Sequence, residues 1–348
     1  MKCVLFCQNN YAFGILQPLK AALAGRKHEV LWYISEKIIA DFPYTSDNHT
    51  TSIADLVSYA SDAIFVPGNE VPHYLRGVKV QVFHGLAGEK KGHFRIRHYF
   101  DLYLTQGPYF TNGFRKGAQK HKDFEVLETG WPKLDVYGAD TSGFAEIKNA
   151  LLAEHGAQKL LLYAPTFSPK LTSAPHLQDA IRSLAQNKEY LILLKFHPLM
   201  AQEWLDAYQK LAAEVPNIIY ENEKNIVKFL LMADLLISDT SSVIYEFLLL
   251  DKPVITFKNI SENVLWENSS TYSGLEKLVV RNLTEDPYAE SRKQIYGQYH
   301  PYNDGRSAAR MVDAVEDYIA KNGVPEKRKI SLSRRLKIYS IFGRKPRD

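Results

Sequence analysis

The chain has 348 residues, 45% hydrophobic and 24% charged, with a formal net charge of +4. That is the composition of a globular protein large enough for two cores. No apolar run reaches the roughly 18 residues needed to span a bilayer. The opening Met1-Lys2-Cys3-Val4-Leu5-Phe6-Cys7 is interrupted by Gln8, Asn9 and Asn10 too early for a cleavable signal, and reads as a first strand. Cys3 and Cys7 are the two cysteines, four apart on one face of that strand and too distant along it for a comfortable disulfide. They suit a buried reduced pair in the cytoplasm and, without a Cys-x-x-Cys or a matching His pair, make no metal site.

In chain order, short β-branched and Leu runs predict strands over Cys3 to Cys7, Val30 to Ile34, Ala63 to Val66, Val78 to Phe83, Leu102 to Thr105 and Glu125 to Glu128, with helices over Ala12 to Ala24 and Tyr109 to Gly117. A second series follows over Leu160 to Ala164, Leu191 to Phe196, Ile218 to Tyr220, Leu235 to Ile237 and Val254 to Phe257. Helices at 176–187, 202–214, 225–232 and 241–249 separate these strands, and another is expected from Ala308 to Ile319. Such alternation predicts parallel sheets with right-handed crossovers. The fold class expected is α/β: two Rossmann-like, doubly wound parallel-sheet domains facing across a cleft, plus a basic tail. The domains are drawn at 1–132, 133–323 and 324–348, with the joint near Gly130-Trp131-Pro132 where Gly and Pro interrupt the pattern. No Gly-x-Gly-x-x-Gly follows the first strand and no Gly-Lys-Ser/Thr loop exists, which argues against hydride chemistry and against an ATPase.

Ligands of open α/β sheets bind beyond the carboxyl ends of the strands, so those ends hold the candidate groups. The strand 78–83 delivers His84-Gly85, with Lys90, Lys91, His93, Arg95, Arg97 and His98 after it. A His beside glycines and cations suits a general base for a hydroxyl nucleophile, or else it caps a loop. The basic run would attract an anionic acceptor or is a solvated loop. The strand 191–196 delivers Lys195 and His197-Pro198, where an imidazole could hold phosphate charge or serve a turn. Thr166 follows Tyr163-Ala164-Pro165 and could donate its hydroxyl to phosphate. Ser238-Asp239-Thr240-Ser241-Ser242 follows the strand at 235 and precedes a helix: either a phosphate seat at a helix N-terminus, or a capping box with Ser242 as N-cap. Asp304-Gly305-Arg306-Ser307 is a second anion-friendly helix start, or ordinary capping.

The basicity is local. Residues 324–348 hold nine cations against two carboxylates, a net +7, which leaves −3 for the rest of a chain whose total is +4. Leu332, Leu336 and Tyr339 recur at helical spacing there, so a short amphipathic helix could lie on anionic lipid. A disordered tail and a nucleic-acid arm are the other readings.

Taken together, Phe-His-Gly (83–85), Gly-Trp-Pro-Lys-Leu-Asp (130–135), Leu-Tyr-Ala-Pro-Thr-Phe (162–167), Lys-Phe-His-Pro (195–198), Ile-Ser-Asp-Thr-Ser-Ser-Val-Ile-Tyr-Glu-Phe (237–247), Lys-Pro-Val-Ile (252–255) and Asp-Gly-Arg-Ser (304–307) resemble the CDP-glycerol glycerophosphotransferases of teichoic-acid and capsule synthesis. Leu86 stands where that family usually has Thr after His-Gly. The resemblance implies a GT-B-like fold, no cofactor, metal-independent transfer, and attachment to the inner membrane face. It implies transfer of glycerol phosphate, or a related alditol phosphate, from a CDP-linked donor to a hydroxyl of a cell-surface glycan or lipid-linked acceptor, with CMP released. His84, His197 and Asp239 would be the catalytic groups. Thr166, Lys195, Thr240, Ser241, Ser242, Gly305 and Arg306 would hold the donor phosphates, and Gly85, Lys90, Lys91 and Arg95 an anionic acceptor. Residues 324–348 would touch anionic membrane; nucleic acid is not an expected partner. A sugar-nucleotide glycosyltransferase or epimerase of the same architecture is the alternative, and a non-enzymatic nucleotide- or glycan-binding scaffold a third reading.

Overall fold

The structure is a computed structural model and describes residues 1–86, 93–223, 225–262 and 264–346. The chain forms two compact units: Met1–Ala139 with Gln298–Asp348, and Asp140–Gly297.

The first unit holds a seven-stranded parallel sheet in the order β3-β2-β1-β4-β5-β6-β7. Its strands are β1 (Lys2–Cys7), β2 (Glu29–Ile34), β3 (His49–Thr50), β4 (Ala63–Val66), β5 (Val78–Gln81), β6 (Leu102–Thr105) and β7 (Glu125–Glu128). The helices are α1 (Tyr11–Gly25), α2 (Ile53–Tyr59) and α3 (Pro108–His121). A sheet covered on both faces needs continuous apolar strands, which is why Val4, Leu5 and Phe6 are all fully buried. The sheet reverses direction between β1 and β4.

The second unit starts with α4 (Ser142–His155) and has a six-stranded parallel sheet ordered β10-β9-β8-β11-β12-β13. Its strands are β8 (Lys159–Tyr163), β9 (Tyr190–Leu194), β10 (Ile218–Tyr220), β11 (Leu235–Ser238), β12 (Val254–Phe257) and β13 (Glu267–Ser269). Its further helices are α5 (Ala174–Leu184), α6 (Gln202–Glu214), α7 (Val227–Met232), α8 (Val243–Leu248) and α9 (Leu275–Thr284), with α10 (Ala289–Tyr299) leading out. Here the reversal falls between β8 and β11. The expected strands are all present to within a residue or two; α2, α4, α9, α10, β3 and β13 are additional.

The unit boundaries differ from those drawn at 132/133 and 323/324. The chain re-enters the first unit at Gln298 and packs α11 (Ser307–Asn322) there, with Met311, Val312 and Val315 buried. Bonds from this stretch back to residues before 132 are the physical reason: His300 Nε2 accepts the Trp131 amide at 2.9 Å, and Arg310 Nε donates to the Thr129 carbonyl at 2.8 Å. The Asp135 carboxylate accepts the Ser307 and Ala308 amides at 2.8 Å each and so caps α11. A Cβ on Gly138 would lie 2.1 Å from the Gly305 nitrogen, so only glycine admits this close passage of the two turns.

The tail is likewise part of the first unit. Arg328 is buried, with its guanidinium on Asp101 Oδ1 (2.5 Å), Asp123 Oδ2 (3.0 Å) and the carbonyls of His98 (2.8 Å) and Asp123 (2.7 Å). α12 (Leu332–Phe342) inserts the fully buried Ile338 into the core that holds Phe6 and Tyr33, and Phe342 meets Phe6 edge-on at 5.7 Å. A disordered tail is therefore excluded for residues 324–346. Leu332, Leu336 and Ile341 remain exposed on α12.

Candidate functional site

The polar groups gather where each sheet reverses, because loops diverge there and leave a crevice beyond the strand ends. In the first unit, β5 runs into Val82 and Phe83, and Phe83 takes φ +59°, a conformation that is costly for an aromatic residue. His84 follows, exposed. Its Nδ1 lies 2.8 Å from the Pro67 carbonyl, on the loop after β4. A carbonyl only accepts, so the proton sits on Nδ1 and the lone pair on Nε2, the arrangement a general base requires. Gln81 Nε2 donates to the Val66, Pro67 and Gly68 carbonyls and shapes that loop. Tyr11 stacks on the His84 ring at 5.0 Å, and Gln106 Nε2 donates to the Gly85 carbonyl at 2.9 Å.

Of the described residues of the basic run, His93 and His98 are engaged within their own unit. His93 packs among Phe83, Phe110 and Phe114, and His98 Nδ1 lies 3.0 Å from Asp123 Oδ2. Arg95 is exposed. Lys90 and Lys91 lie outside the described residues.

In the second unit Asp239 organises the crevice between β8 and β11. It is fully buried. Oδ1 accepts the Thr166 amide at 2.8 Å; Oδ2 accepts the Ser173 amide at 2.7 Å and its hydroxyl at 2.9 Å. The Asp239 carbonyl accepts Asn259 Nδ2 at 2.6 Å. Burial pushes its carboxyl pKa up, outweighing the donors that pull it down. Expected among the catalytic groups, this carboxylate holds its own loop to the one between β8 and α5, and the residue's carbonyl adds the loop after β12. Lys195 is also turned from its expected role: it is buried, and Nζ donates to the Phe196 carbonyl at 3.0 Å. Burial lowers its pKa against the pull of Glu221 and Glu223.

His197 is exposed, and its Nδ1 accepts the Leu199 amide at 3.1 Å. The neutral ring therefore carries its proton on Nε2, opposite to His84. Partial desolvation of the ring and then the neighbouring Lys195 lower its pKa, so it is a neutral N–H donor near pH 7. Phe167 stacks on this ring at 4.4 Å.

The hydroxyl run lies at the same strand ends. Thr240 Oγ1 is buried with no hydrogen-bond partner among the described residues. Ser241 Oγ accepts the Val243 amide at 3.4 Å, and Ser242 makes no side-chain cap, so the capping box does not form. α8 has only six residues, too few turns for a helix dipole to define the seat by itself. Gly305 and Arg306 belong to the first unit and the hydroxyl run to the second, and the α11 start beside Gly305 and Arg306 is already occupied by the Asp135 carboxylate. Burial raises the Asp135 pKa. Among the described residues no cluster of three or more His, Cys, Asp or Glu could hold a metal.

Sequence reasoning missed Tyr11, Pro67, Gln106, Phe167, Ser173 and Asn259. Pro67, Gln106 and Asn259 each follow a strand end, the same signal that singled out His84; Tyr11 opens α1 and Ser173 lies just before α5, both farther from a strand end.

The CDP-Glycerol:Poly(glycerophosphate) glycerophosphotransferase family model matches residues 76–263, more than half of the chain. The chain is 25% identical over 234 residues to the teichoic acid glycerol-phosphate primase of Bacillus subtilis (strain 168), which is 63% of this chain and 58% of that protein. It is 35% identical over 139 residues to the protein of the same name from Bacillus spizizenii, 38% of this chain and 33% of that one. The chain thus spans about half the length, or less, of these relatives. A variant of the Wall Teichoic Acid Polymerase TagF soaked with CDPG superposes with a TM-score of 0.68 at 19% identity, covering 92% of this chain and 89% of that chain. The UDP-GlcNAc 2-epimerase of Neisseria meningitidis bound to UDP-GlcNAc gives 0.65 at 12% identity, covering 91% and 100%. These likenesses show the GT-B-like fold.

Proposed function

The chain belongs to the CDP-glycerol:poly(glycerophosphate) glycerophosphotransferase family, and on that premise we propose that it moves glycerol phosphate, or a related alditol phosphate, from a CDP-linked donor to a hydroxyl of a glycan or lipid-linked acceptor. The acceptor oxygen attacks the β-phosphorus. The new O–P bond forms as the bond from the β-phosphorus to the bridging oxygen breaks, and CMP leaves with that electron pair. The acceptor proton passes to His84 Nε2. His197 Nε2–H donates to phosphate oxygen, together with the Thr166 and 240–242 hydroxyls.

One observation carries the reading: the backbone partners of the two imidazoles select opposite tautomers, which suits His84 to the role of base and His197 to that of donor. The orphaned Thr240 hydroxyl supports a ligand there, since a buried unpaired group costs about 1–3 kcal/mol that a phosphate oxygen would offset. A base contributes about 10²- to 10⁴-fold in rate, and a donor to developing charge about 3 kcal/mol. The chain would work in the cytoplasm, peripheral to the inner membrane face. There α12 presents Leu332, Leu336 and the cations Arg334 and Arg335, and the residues just after it add Arg344 and Lys345, to anionic lipid, at about 1 kcal/mol per cation near the surface.

The test supplies CDP-glycerol, CDP-ribitol and UDP-sugars with a short glycan acceptor and scores CMP against UDP release. CMP release that His84→Ala lowers by about 10²-fold or more, with donor binding retained, supports the reading. UDP release would favour the sugar-nucleotide alternative, and near-normal turnover by His84→Ala would remove its role as base.

A further inference from the structure

The two imidazoles share a feature that neither backbone bond explains. Each lies against an aromatic ring: Tyr11 on His84 with centroids 5.0 Å apart and 28° between planes, Phe167 on His197 at 4.4 Å and 29°. Tyr11 and Phe167 are 44% and 40% exposed, in a protein whose other large aromatics are mostly buried. Their positions repeat. Tyr11 lies four residues past the end of β1 and Phe167 four past β8, the first strand of each unit. His84 lies three residues past β5 and His197 three past β9.

We propose that Tyr11 and Phe167 are positioning residues, each a flat face against which one imidazole is held in the ring plane and tautomer its task needs. The proposal rests on the reading that His84 and His197 act on the donor. A single hydrogen bond at Nδ1 restrains a point of the ring and leaves it to swing about that contact. A stacked face removes the swing, because offset rings lose contact as they rotate out of parallel. An imidazole that swings exchanges its backbone partner for water, and with it the tautomer that the partner selects. Pro67 and Leu199 thus choose which nitrogen carries the proton, and the aromatic faces keep each ring where that choice applies. The Tyr11 hydroxyl accepts Asn9 Nδ2 at 3.3 Å, two residues away and not on the imidazole, so the ring face and not the hydroxyl is the working part.

The experiment uses the full chain with Tyr11→Leu, Tyr11→Phe, Phe167→Leu and Phe167→Tyr. With CDP-glycerol and acceptor, the Leu variants are expected to lose about tenfold or more in kcat while the donor KM stays within about twofold. Tyr11→Phe and Phe167→Tyr are expected to stay within about twofold of the parent. Imidazole nitrogen shifts by NMR are expected to report one tautomer for each ring in the parent and mixed tautomers in the matching Leu variant. Parent-like kcat in the Leu variants, equal losses in the aromatic variants, or unchanged nitrogen shifts would overturn the proposal. Should the parent release no CMP from any donor, the transfer reading fails, and the nitrogen shifts still decide the brace.

Discussion

Replacing Arg328 by Met tests the claim that the basic tail is a structural part of the first unit. The side chains of Arg328 and Asp101 are 7% and 9% exposed, and their 2.5 Å contact is accompanied by bonds to Asp123 and to two backbone carbonyls. Met keeps the volume and removes the cation, so Asp101 is left buried with a reduced complement of partners. Breaking a buried pair from one side costs about 3–5 kcal/mol. Two groups limit the loss: the Lys79 amide still donates to Asp101 Oδ2 at 2.8 Å, and the buried Lys79 ammonium, its pKa lowered to about 8 chiefly by burial, is still attracted by Asp101. In a unit of this size each kcal/mol moves the melting temperature by about 2–4 °C, so calorimetry is expected to show a transition roughly 10 °C lower. Asp101→Asn in the same chain should recover part of it, since the orphaned charge is then gone. If Arg328→Met melts within about 1 °C of the parent, the tail contributes nothing to the core and the reasoning fails. Deleting residues 324–348 is expected to destabilise the first unit for the same reason.

Asp239→Asn presents an NH₂ group to one set of amide donors now facing carboxylate oxygens. It should lower second-unit stability by about 2–3 kcal/mol in urea titration, together with turnover, and an unchanged urea midpoint would show that the loops do not depend on it. His300 is buried, accepts the Trp131 amide at 2.9 Å, and has its pKa lowered from 6.5 to about 4, first by burial and then by Arg310. The unfolded chain binds this proton more readily. Stability from this site is therefore complete above about pH 6.5 and lost as pH falls toward 4, on the order of 3 kcal/mol in all. His300→Gln should flatten that part of the pH–stability curve, and a curve of unchanged slope would refute the assignment. Leu332→Ser with Leu336→Ser is expected to cut binding to anionic vesicles by about tenfold or more without moving the melting temperature, since both side chains are exposed. Equal vesicle binding would remove α12 as the membrane face.

Periodicity made the alternating elements legible because a strand buried on both faces must be a continuous apolar run, and runs such as Leu160 to Tyr163 and Leu191 to Leu194 have no other reading at that length. The strand-end rule then led to His84, His197 and the 240–242 hydroxyls without any tertiary information. β3 (His-Thr) and β13 (Glu-Asn-Ser) escaped because neither contains an apolar residue, whereas the equally short Ile218–Tyr220 announces itself by two isoleucines.

What the sequence determined by itself was therefore local: which segments are strands, and which side chains stand at their carboxyl ends. What only the tertiary structure decided was the partner of each group. Asp239 and Lys195 are polar at a strand end like their neighbours, yet burial draws both into the scaffold. Arg310 and Arg328 bond to residues more than 170 positions away in sequence, and so move the domain boundary and tie in the tail. The proton on each imidazole follows the same logic, for a carbonyl at Pro67 and an amide at Leu199 assign opposite chemistry to two identical side chains, and that choice depends on backbone atoms whose positions exist only once the chain has folded.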